Sequence, residues 1–207
     1  MFSHISLTTV VVILVIIFFS TALHELMHAY VALRLGDDLA HSRGRISLNP
    51  LRHIDPFLTV ILPLVLLLTT GTPILAAKPV PINTSRLRGG EMGMALVGVA
   101  GPLTNLLLAV VAAGILRTTN LSGFGLDFAY TFLRINIALF VFNMIPFPPL
   151  DGSRVLYAFA PEPVQRVMQQ IESFGIFGII ILITVLAPVI GPILFTVENG
   201  LSRLLIG

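Results

Sequence analysis

An all-α polytopic membrane protein is the fold class the sequence predicts. Three observations carry that reading. The 207-residue chain is 56% hydrophobic and 11% charged, whereas soluble domains carry about 25% charged residues. Its mean hydropathy is +0.97. Its apolar residues fall into runs long enough to span a bilayer as helices. About four to six membrane segments are expected, with one of them read as re-entrant, plus a short β-hairpin near the cytosolic surface. Residues 1–207 read as one membrane-embedded domain, its core over about 7–155 and its C-terminal membrane segment or segments over about 173–206. No long polar block suggests a separate soluble domain. A net charge of +2 is too small to imply nucleic acid. The absence of cysteine excludes disulfides, thiolate ligands and a cysteine nucleophile.

The first helix is expected from about Leu7 to Leu35, with Gly36 ending it. It lacks a basic leader and a clean cleavage signal, so it reads as a retained membrane helix rather than a signal peptide. The stretch after it is polar, and the alternation Arg45-Ile46-Ser47-Leu48 suggests the strand or hairpin. Phe57 to Ala77 is apolar but broken by Pro63, Gly71 and Pro73. Arginines precede it, and Lys78, Arg86 and Arg88 follow it. Basic loops favour the cytoplasm, so a segment that enters and returns is preferred to a plain crossing. Glu91 to Leu116 is rich in Gly and Ala, which let membrane helices approach closely. A fourth segment runs from about Phe128 to Ile145 and ends in prolines. Asp151 to Gln170 reads as a surface helix broken at Pro161 and Pro163. Ser173 to Ile206 is one crossing or a hairpin.

The chemistry centres on His24-Glu25-Leu26-Met27-His28, placed in the last third of an apolar helix. Histidines four apart share a helix face and can hold one ion. Glu25 projects at another angle, free to take a proton from water. Zinc suits imidazole and carboxylate, and it lowers the pKa of its water to about 7. A lone HExxH arises by accident in many proteins, and a histidine pair can be merely structural. An unpartnered Glu at membrane depth costs about 2.5 kcal/mol or more, however, which favours a metal. The third ligand has three candidates: Asp151, His53 and His41. Asp151 is preferred as an anion beside a proline-broken segment end; the competing reading makes it a helix cap. Asn105 and Asn143 read equally as interhelical hydrogen-bonding groups or as substrate contacts.

Four stretches together resemble the site-2 protease family of intramembrane zinc metalloproteases. They are the HExxH; Asn49-Pro50 to Pro56; Gly101-Pro102-Leu103-Thr104-Asn105; and Asn143 through Leu150-Asp151-Gly152. Ala77-Lys78-Pro79-Val80-Pro81-Ile82-Asn83 is similar to the compact, PDZ-lacking branch. The likeness covers about Ser20 to Arg154. It implies that His24, His28 and Asp151 bind one zinc ion per chain and that Glu25 is the general base. It implies that Asn143 holds the substrate or its oxyanion, and Asn105 is placed with the substrate contacts. It further implies cleavage of transmembrane segments of membrane proteins at a site nearer the cytosol; the compact size suggests a bacterial or archaeal plasma membrane. Such a substrate is expected to unwind before cleavage, and Arg45, Ile46, Ser47 and Leu48 offer it an edge. The alternatives are a metal or proton transporter, against which no internal symmetry is found, and a CAAX-type zinc peptidase, whose third ligand is typically glutamate.

Overall fold

The computed structural model describes residues 6–47, 49, 80–175, 178 and 187–207. Among these the regular structure is helical, and three helices are long and apolar enough to cross a membrane. The protein is an integral membrane protein. In lipid a helix is favoured because it satisfies every backbone donor and acceptor internally.

Helix α1 spans Leu7–Arg34. It is capped by the Ser6 hydroxyl, which accepts the Thr9 N–H at 3.1 Å. It stops at Gly36, whose φ of +104° is the left-handed conformation a side chain disfavours. A single turn of helix, α2, covers Leu39–Ser42. Helix α3 runs 29 residues over Gly90–Thr118, and α4 spans Gly123–Asn143. Two shorter helices, α5 at Gly152–Phe159 and α6 at Glu162–Ser173, take the place of the surface helix expected there. They part at Ala160–Pro161, since proline disfavours helix in the residue before it. The Arg154 guanidinium on α5 grips the Glu172 carboxylate on α6 with both nitrogens. Helix α7 covers Ala187–Ile206.

Helix α3 is the centre of the bundle and packs against α1, α4 and α5. Its first half meets α1 around Ala32, Leu87 and Val97. Its second half meets α4 through a buried cluster of Ala109, Ala112, Ala113, Leu133, Ile137 and Val141, against which Leu194, Leu201 and Leu205 of α7 also pack. Small residues on α3 allow this proximity.

One expectation is revised, and others fall outside the described residues. Arg45–Ser47 is irregular, and no strand occurs among the described residues, so the β-hairpin is not seen there. The Arg45 N–H turns back to the Ala40 carbonyl at 2.9 Å, which curls the chain where a strand would extend it. Leu48, His53 and the segment 57–77 lie outside the described residues, as does most of 176–186.

Candidate metal centre

Three side chains from distant parts of the sequence converge beside α3. His24 and His28 come from one face of α1, as their spacing demands. Asp151 comes from the turn after α4, where the chain runs Met144-Ile145-Pro146-Phe147-Pro148-Pro149-Leu150 before α5 begins. The Pro148–Pro149 bond in this turn is cis. His24 Nε2 and His28 Nε2 lie 2.9 Å apart. Asp151 Oδ2 lies 3.0 Å from the first and 3.3 Å from the second. Both imidazoles are buried.

A chain of amides dictates the protonation of His24. The Phe132 carbonyl can only accept, so Asn136 presents its NH₂ to it, at 2.9 Å. Asn136 Oδ1 therefore accepts from the Asn105 NH₂ at 3.0 Å. Asn105 Oδ1 then faces His24 Nδ1 at 2.6 Å, which must donate. His28 Nδ1 likewise donates to the Val97 carbonyl at 2.7 Å. Each neutral ring is thus left with its Nε2 lone pair aimed into the same space as the Asp151 carboxylate. Three such acceptors repel unless a cation, either a metal ion or an added proton, lies among them. Tetrahedral zinc with bonds of 2.0–2.1 Å separates its ligand atoms by about 3.3 Å. The sides of the observed triangle, 2.9, 3.0 and 3.3 Å, come within about 0.4 Å of that spacing.

The backbone is shaped to admit this group. A Cβ added at Gly101 would lie 2.4 Å from His28 Nε2 and 2.5 Å from His24 Nε2. The sequence suggested only packing for this glycine; the structure sets it against both ligand atoms. Pro102 follows it and leaves the Gly98 carbonyl without a helical donor, next to the Val97 carbonyl that receives His28. Gly98 itself admits the Asp151 turn: its Cβ would lie 3.0 Å from the Asp151 carbonyl oxygen and 2.8 Å from the Arg154 Cβ. A Cβ at Gly152 would fall 2.3 Å from the Met144 carbonyl oxygen, so this position lets the chain fold back onto itself.

The other candidates are placed as follows. Glu25 is half-buried, and its Oε2 accepts the Val80 N–H at 3.2 Å. Asn105 is fully buried, with both ends of its amide engaged by His24 and Asn136. These contacts make the interhelical hydrogen bonds that are one of its two readings from sequence. Asn143 is half-buried and donates one N–H to the Leu139 carbonyl at 2.9 Å. His41 is exposed on α2. Ile46 packs on the cluster containing Val80, and so borders the Glu25 side of the site. Sequence reasoning overlooked Asn136, though an amide in the middle of an apolar helix was the available signal. It also overlooked the Val97 carbonyl and the Val80 N–H, main-chain groups that carry no sequence signature.

Comparison with known proteins agrees with this geometry. The chain is 38% identical to the proposed zinc metalloprotease YwhC of Bacillus subtilis, over 86% of this chain and 81% of that protein. It is 30% identical to the proposed zinc metalloprotease Rip2 of Mycobacterium tuberculosis, over 89% of this chain and 70% of that protein. The zinc metalloprotease MJ0392 of Methanocaldococcus jannaschii is 29% identical over 71% of this chain, but only 34% of that longer protein is covered. No family model and no solved structure matches the chain. The extent of the likeness to YwhC and Rip2, with the ligand geometry above, shows that the chain belongs to the site-2 protease-like family of zinc metalloproteases.

Proposed function

We propose that this protein is an intramembrane zinc metalloprotease that hydrolyses peptide bonds within the transmembrane segments of other membrane proteins. The observation that supports it most is the convergence of His24 Nε2, His28 Nε2 and Asp151 Oδ2 among helices apolar enough to cross a bilayer. Those three atoms would hold the ion. A zinc ion held there would act as a Lewis acid and would make water acidic enough to lose a proton near neutral pH. Glu25 takes that proton on a carboxylate oxygen and delivers it to the leaving amine nitrogen. Asn105 orients His24 by holding its Nδ1–H, and Asn136 fixes Asn105 in turn. Asn143 keeps a second N–H that the Leu139 carbonyl does not take. This donor is assigned to the substrate carbonyl as negative charge develops on its oxygen. Arg45, Ile46, Ser47 and Leu48 are assigned to the approaching substrate strand, and Ile46 borders the Glu25 side. The site is assigned nearer the cytosol, which supplies the water; the basic residues flanking the apolar segments support that side.

The test compares membrane fractions from wild-type cells and Glu25→Gln cells for uncut single-span proteins, with zinc analysis of both purified chains. Glu25→Gln is expected to retain one zinc per chain and to accumulate uncut protein. Purified wild-type chain without stoichiometric zinc, or equal processing in both cell lines, would sink this function.

A further inference from the structure

Glu25 is held by a part of the chain 55 residues away. In Pro79-Val80-Pro81 neither proline has an N–H, so Val80 carries the sole main-chain donor of the tripeptide. That donor goes to Glu25 Oε2. Val80 is buried with Ala29 of α1 and Ala40 of α2, and Ile46 and Ile82 close over them.

The chain beyond Val80 is fastened to the end of α1. Asn83 N–H donates to Asp37 Oδ2 at 2.6 Å, and Leu39 N–H donates to Asp37 Oδ1 at 3.0 Å. Arg88 N–H donates to the Leu35 carbonyl at 2.8 Å. Arg86 pairs with Asp38. A Cβ on Gly36 would lie 3.2 Å from the Arg86 carbonyl oxygen, so the two strands of chain are in close contact. Asp37 is the telling residue. It is fully buried, yet it is outside the metal group. A buried carboxylate is unfavourable unless hydrogen bonds answer its charge, and here each of its oxygens is met by a main-chain N–H. Such a group ties together the pieces of chain that supply those donors.

We propose that Val80 and Asp37 are positioning residues for Glu25: Asp37 clamps residues 80–88 to the end of α1, and the clamp presents the Val80 N–H to one Glu25 oxygen. The other oxygen is then left to accept a proton from water. This rests on the reading of Glu25 as general base.

The experiment uses the full-length chain purified in detergent, with zinc content and Tm as readouts. It also uses, as substrate, the single-span protein that accumulates in Glu25→Gln membranes. Val80→Pro removes the N–H, whereas Val80→Ala keeps it. Val80→Pro is expected to keep its zinc and its KM within about twofold while kcat falls at least about tenfold, and Val80→Ala to lose no more than a few-fold. In a double-mutant cycle, Val80→Pro is expected to lower Tm by several degrees, and by less than half as much in a Glu25→Ala background. The cycle needs no turnover, so it reads the hydrogen bond even if the catalytic reading of Glu25 fails. Should Val80→Pro not fold, Asp37→Asn serves: one of its two acceptors is replaced by NH₂, and kcat is expected to fall with zinc retained. Equal losses from Val80→Pro and Val80→Ala, additive Tm shifts in the cycle, or wild-type kcat in Asp37→Asn would each overturn the proposal.

Discussion

The two halves of α3 use small residues for opposite ends. In the first half, Gly98 and Gly101 clear space for polar groups: the Asp151 turn and the two imidazoles come closer than any Cβ would permit. In the second half, Ala109, Ala112 and Ala113 offer methyl groups to Leu133, Ile137 and Val141. One half has atoms removed so that a charged group can assemble, and the other has small atoms kept so that helices adhere. Adhesion in lipid rests on packing rather than on escape from water. Alanine is therefore sufficient in the second half, but would be obstructive in the first.

Substitutions can break this contrast, and the largest effect belongs at its polar end. Gly101→Ala is expected to abolish zinc binding, since its methyl would crowd both Nε2 atoms; metal analysis of the purified chain reads this. Retention of one zinc per chain would mean that α3 moves aside easily. Next comes Asn136→Leu, which removes the amide that orients Asn105. Outer partners of metal-bound histidines typically contribute 10- to 100-fold in affinity, and a loss of about that size is expected in a competitive chelator titration. An unchanged affinity would show that His24 keeps its tautomer without help.

The apolar end predicts the converse. Ile137→Ala is expected to lower stability by about 2 kcal/mol, the low end of the range for such truncations, because the transfer contribution largely vanishes in lipid. Its folded fraction should keep full zinc, as measured by denaturation in detergent alongside metal analysis. The smallest effect is assigned to Gly114→Ala. Nothing lies within 4 Å of a Cβ there, so zinc content is unchanged and stability rises by no more than about 1 kcal/mol from helix propensity. If Gly114→Ala were as damaging as Gly101→Ala, the division of α3 into two halves would fail.

Much of this was legible in the chain. The apolar runs placed α1 and α3 to within about two residues, since burial in lipid demands long helices and leaves few alternatives; α4 begins at Gly123, ahead of the Phe128 expected. The four-residue spacing of His24 and His28 put both rings on one face through local geometry alone. Asp151 could be nominated from its chemistry, and its neighbours Leu150 and Gly152 resembled a known motif.

What the linear order could not decide was which groups face one another across helices. Asn105 read equally as an interhelical hydrogen-bonding group or a substrate contact until its amide was found between His24 and Asn136. Gly101 looked like packing until its hydrogen was found against two imidazoles. Asp37 and Val80 had no assigned role until the chain folded back along α1. Sequence periodicity settles the face of a helix on which a residue lies, because that depends on local rotation alone. The partner opposite that face depends on how whole helices dock, and here the decisive partners include a glycine and backbone groups with no side chain to announce them.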